Sequence, residues 1–71
     1  PVNDRQALVQ AQADLSNARA ELKRYEELFK ARAETQQQLD RVRLRYDVAR
    51  SQVEQARNQL SYAKVRSPVD G

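Results

Sequence analysis

The sequence contains no cysteine, histidine, tryptophan or methionine. Without Cys there is no disulfide to staple a small fold, and without Cys or His the usual zinc sites are excluded. Nucleophilic thiols and imidazole acid–base chemistry are excluded with them. A chain of 71 residues has difficulty enclosing a globular core without such staples. Aromatic residues are scarce as well: Tyr25, Phe29, Tyr46 and Tyr62 are the full set. The single glycine is Gly71, and the two prolines are Pro1 and Pro68. Nothing between Val2 and Ser67 therefore breaks a helix, and no Gly-rich phosphate loop is available. No apolar run approaches the roughly 20 residues of a membrane span, and no signal-peptide pattern is present.

What is present favours helix. Ala, Gln, Arg, Leu and Glu dominate, and these residues lose little freedom in a helix. The net charge is +3. Residues 1–39 carry six basic and six acidic side chains, and residues 40–71 carry seven and four. Because acids interleave with the bases, no unopposed basic face exists, and a nucleic-acid partner is not expected.

The apolar residues Leu8, Ala11, Leu15, Ala18, Leu22, Tyr25 and Phe29 recur at alternating steps of 3 and 4. This is a heptad seam on a helix expected over residues 4–31, capped by Asn3 or Asp4. A second seam, Leu39, Val42, Tyr46, Ala49, Val53, Ala56, Leu60 and Ala63, has the same steps but another frame. Extending the Leu8–Leu15–Leu22–Phe29 row lands on Gln36, Arg43, Arg50 and Arg57. The phase break and the polar gap between Phe29 and Leu39 predict a turn at residues 32–34. Thr35 and Gln38 then form a Thr-x-x-Gln capping box that starts a second helix over residues 35–62.

Folding the chain back about Glu34 matches the two seams layer by layer. Leu8 faces Leu60, Ala11 faces Ala56, Leu15 faces Val53 and Ala18 faces Ala49. Leu22 then faces Tyr46, Tyr25 faces Val42, and Phe29 faces Leu39. Large layers meet large ones and alanine layers meet alanine layers, which predicts an all-α, antiparallel two-helix coiled-coil hairpin. The competing arrangement is one long helix in a parallel dimer. After Tyr62 the pattern alternates, with Val65 and Val69 suited to a strand and Pro68 stopping the helix. A lone strand is not stable, so residues 64–71 read as an extended tail of a further unit and the chain as a segment of a longer protein.

No catalytic constellation, metal-ligand set or cofactor motif is found, and an enzymatic role is not expected. Glu26 and Glu27 are adjacent on a helix and point apart. Asp40, Arg43, Asp47, Arg50, Glu54 and Arg57 form one alternating stripe. It is either a solvent-facing ladder of ion pairs, each worth about 0.2–0.5 kcal/mol, or a face that meets a neighbouring copy. Ala7, Val9, Ala13 and Ala20 lie off the main seam of the first helix and offer small residues for lateral contact. The Gln36-Gln37-Gln38 run reads as the polar first turn of the second helix.

Arg24-Tyr25-x-x-Leu28, then Thr35, then Leu39-Asp40, resembles the hairpin tip of bacterial periplasmic adaptor proteins. These are the membrane fusion proteins of tripartite multidrug efflux pumps, of the AcrA, MexA and MacA type. That family places an Arg, a Leu four residues on and a Ser seven beyond around the turn; here Thr35 stands in place of Ser. The run from Leu60 to Gly71 is similar to the family's return from hairpin to lipoyl-like domain, with Ala63 and Ser67 departing from the usual Thr and Ala.

The resemblance implies residence in the periplasm of a Gram-negative bacterium. It implies six copies packing side by side, joined to an inner-membrane transporter through domains outside this segment. It also implies that the tip docks on a TolC-like outer-membrane channel. Arg24 would give a charged hydrogen bond, Leu28 an apolar contact and Thr35 a hydroxyl contact. A generic coiled-coil assembly or spacer module without an efflux role is the alternative reading.

Overall fold

The computed structural model describes residues 3–66 and contains two helices, α1 (Asp4–Lys30) and α2 (Gln36–Arg66), packed antiparallel along their length. Among the described residues there is no strand. The hairpin is a rod with extents of 61 × 16 × 15 Å. Its accessible surface is 5635 Å², whereas a compact protein of the same mass exposes about 4,500 Å².

Burial follows the two seams. Ala11, Leu39, Val42, Ala49, Val53 and Ala56 are buried, with Val42 wholly enclosed. At the open end Ala11, Val53 and Ala56 form one cluster, with Leu8 and Leu15 packed against it. Leu8, Leu15, Ala18, Leu22, Tyr25, Tyr46 and Leu60 are half-buried. Phe29 is 37% exposed, because it occupies the last turn of α1 and α2 begins only at Gln36, leaving no helix beyond to cover it. The narrow seam of a two-helix rod encloses few of its large side chains, Leu39 among them, on every side. Leu15, Leu22 and Tyr46 consequently keep one edge in water.

Both helices start on a side-chain cap. The Gln6 amide donates to Asn3 Oδ1 at 2.7 Å, so Asn3 is the cap of α1. The Gln38 amide donates to Thr35 Oγ1 at 3.1 Å, which makes Thr35 the cap of α2 rather than its first helical residue. The reciprocal half of the expected capping box is not made. Thr35 N–H donates instead to Glu34 Oε1 at 3.3 Å, and Gln38 Oε1 accepts from Arg41 Nε at 3.0 Å. A carboxylate one residue away competes better for the Thr35 amide than a neutral amide on the following turn.

At its other end α2 runs to Arg66, four residues past the expected stop at Tyr62. Lys64–Arg66 are helical rather than extended. Ala, Lys and Arg favour helix, and a strand here would need a partner strand that the described residues do not supply. Pro68 disfavours helical geometry at the residue before it and not at Arg66. The remainder of the expected extended tail, residues 67–71, lies outside the described residues.

Candidate functional site at the hairpin tip

The turn is built without glycine. Ala31 is the cap residue of α1, and Arg32 adopts the left-handed conformation with φ of 61°. Arg32 N–H donates to the Phe29 carbonyl at 2.9 Å, and Ala33 N–H donates to the Leu28 carbonyl at 2.7 Å. This bond pair is the Schellman closure, in which the two residues after the cap reach back to the last turn. It satisfies carbonyls that a helix end otherwise leaves open. It also fixes Leu28 to the loop through its own backbone.

The three tip residues expected to bind a partner sit on this frame. Arg24 and Leu28 are four apart and so share one face of α1. Leu28 is half-buried; Arg24 is exposed, with its guanidinium 5.8 Å from the Tyr25 ring centroid. Thr35 is exposed across the turn, and its hydroxyl oxygen is engaged in capping. The hydroxyl still has a proton to donate, because capping uses the oxygen only as an acceptor. Gln36 Nε2 donates to Asp40 Oδ1 at 2.8 Å, which orders the first turn of α2.

Along the shaft, one face of the hairpin carries an apolar surface that the seam periodicity did not mark. Leu44 is 63% exposed and Val48 47% exposed, one helical turn apart. Together with Ala18, Ala49, Asp14 and Gln52 they line an open groove of about 440 Å³ between α1 and α2. Arg45 Nη1 bridges to Glu21 Oε1 at 3.3 Å beside it. The groove continues toward the open end past Gln10, Gln55 and Ala7. The signal in the sequence was an apolar pair spaced by four outside the seam.

Of the off-seam residues of α1, Ala7 stands apart, while Val9, Ala13 and Ala20 fall within about 40° of one another around the helix. Ala7 turns into the groove, while Val9 lies with Arg5 and Gln6 away from it. One step along a helix is about 100°, so the two-residue separation of Ala7 and Val9 carries them apart. The charged stripe from Asp40 to Arg57 is exposed throughout and forms no ion-pair ladder among the described residues. Arg50 lies instead 6.0 Å from the Tyr46 ring centroid. At exposed positions, hydration and side-chain entropy outweigh the modest attraction between such charges.

Among the described residues no group of His, Cys, Asp or Glu is arranged to hold a metal ion, and no helix is long and apolar enough to cross a membrane. The described residues thus form an antiparallel two-helix hairpin with a capped turn and an apolar flank. The family model for the α-helical hairpin domain of RND membrane fusion proteins matches residues 2–66. The chain belongs to that family, one of non-catalytic periplasmic adaptors that work as oligomers within multi-protein RND pumps. No curated protein and no solved structure matches the chain.

Proposed function

We propose that this hairpin is the part of a periplasmic efflux adaptor that reaches outward to a TolC-like outer-membrane channel and bridges it to an inner-membrane transporter. The observation that carries the reading is the tip itself. A Schellman closure and a Thr cap order the turn that Leu28 and Thr35 flank, with Arg24 one helical turn before Leu28 on α1, inside a sequence that matches the RND adaptor hairpin. Leu28 supplies apolar contact to a helical partner, and Arg24 supplies a charge-assisted hydrogen bond. Thr35 has a hydroxyl proton to offer. The periplasm of a Gram-negative bacterium is the compartment that this role requires, and drug export is the process. Residues 64–71 lead back toward a lipoyl-like domain, and neighbouring copies, six in the assembled adaptor, pack against the Leu44–Val48 groove.

The test is made in the full-length adaptor at native expression. Leu28→Ser and Arg24→Ala each abolish complementation of drug efflux while the hairpin stays folded, since neither residue is on the main seam. Thr35→Ala also removes a cap worth about 1 kcal/mol, so Thr35→Asp is its control: it keeps the cap and alters the tip surface. Normal pumping by both the Leu28 and Arg24 variants would leave the hairpin as a spacer.

A further inference from the structure

Arg32 is the one non-glycine residue with positive φ among the described residues, and it stands at the apex of the turn. The left-handed conformation brings Cβ close to the following carbonyl oxygen, which is why glycine is the usual occupant after a helix cap. The chain folds there with the bulkiest cationic side chain instead. Nothing inside the hairpin uses that side chain. Arg32 is exposed, and its guanidinium has no hydrogen bond or ion pair among the described residues.

Four polar side chains around the turn are engaged with other groups. Glu34 accepts the Thr35 amide, Asp40 accepts from Gln36, Gln38 accepts from Arg41, and Arg24 lies by the Tyr25 ring. A cation near the C-terminus of α1 is favoured by the helix dipole, but Lys30 in the last turn already supplies one. The Schellman bonds from Arg32 and Ala33 to Phe29 and Leu28 tie this residue rigidly to the apolar contact of the tip.

We propose that Arg32 is a recognition residue of the tip, whose free, exposed guanidinium pairs with a carboxylate on the helical tip of the docking partner. The proposal rests on the tip-docking reading and adds to it an acidic group on the partner. A backbone conformation unfavourable to Arg, at a site where glycine would close the same turn, separates what folding needs from what recognition needs. The two are therefore separable by substitution.

The experiment measures binding of the purified full-length adaptor to the immobilised TolC-like channel of the same bacterium, at low and physiological salt. Arg32→Gly should weaken binding about tenfold, the scale of one lost charge-assisted bond, and flatten its salt dependence. The melting temperature should hold or rise, because glycine accepts the left-handed geometry without a Cβ. Arg32→Lys should fall between, because it keeps the charge and loses the planar fork. Arg32→Glu should not bind, and changing one carboxylate at the channel's helical tips to Lys should restore it. Binding of Arg32→Gly within twofold of the parent, with Leu28→Ser inactive, overturns the role of Arg32 and leaves tip docking standing. Normal binding by Leu28→Ser, Arg24→Ala and Arg32→Gly alike overturns both.

Discussion

Arg45 Nη1 lies 3.3 Å from Glu21 Oε1 and forms the one ion pair between α1 and α2 among the described residues. The Glu21 side chain is 22% exposed and that of Arg45 59%, so water screens the pair from one side. Exposed pairs of this kind contribute about 0.2–1 kcal/mol. Glu21→Gln and Arg45→Gln should each lower hairpin stability by no more than that in urea titrations. The difference from the parent should shrink as salt rises past about 0.5 M, where screening acts within a few ångströms. A loss above about 2 kcal/mol, unchanged by salt, would show that the pair orders the groove rather than merely spanning it.

The fold was legible because its cause is periodic. The 3-and-4 spacing of Leu8 to Phe29 and of Leu39 to Leu60 states which face is dry, and the frame shift between them states that the helix must stop. Where a local choice decided the outcome, the pattern was silent. With no glycine in the turn, composition does not announce that Arg32 takes the left-handed conformation. The Thr35–Gln38 spacing promised two reciprocal bonds, yet Glu34 takes one of the donors. Leu44 and Val48 are out of phase with the seam, so the heptad spacing carries no signal for them. The stripe from Asp40 to Arg57 has the spacing of an ion-pair ladder, but spacing does not fix rotamers. Arg24, Leu28 and Thr35 are proposed as tip residues through family resemblance alone, since residues outside the seam carry no periodic signature of what they bind.

Intramolecular closure is testable by chemistry alone. Leu15 packs against the cluster that contains Val53. The chain has no native cysteine to interfere. Cysteines placed at 15 and 53 should cross-link within one chain under mild oxidation and run as monomers on non-reducing gels. Cross-linked dimers alone would mean that the seams pair between chains, as in a long parallel coiled coil.

The third prediction contrasts a buried aliphatic residue with two exposed ones on the same helix. Val42 is 0% exposed, so Val42→Ala removes two methyl groups from a closed layer and leaves a void. The expected loss is about 2 kcal/mol, read as a lower urea midpoint with an unchanged slope. Leu44 and Val48 are 63% and 47% exposed, and Leu44→Glu or Val48→Glu should change the stability of the single hairpin by less than about 0.5 kcal/mol. If neighbouring copies pack on the groove as proposed, the effect of these variants falls on assembly. A carboxylate in the groove beside Asp14 and Glu21 adds a third negative charge where a neighbouring copy would have to exclude water. Chemical cross-linking of the full-length adaptor should then show fewer hexamers for Leu44→Glu and Val48→Glu, while Val9→Glu, on the surface away from the groove, assembles normally. If Val9→Glu disrupts assembly and the two groove variants do not, neighbouring copies pack on the back of α1 and the Leu44–Val48 groove is free for another partner.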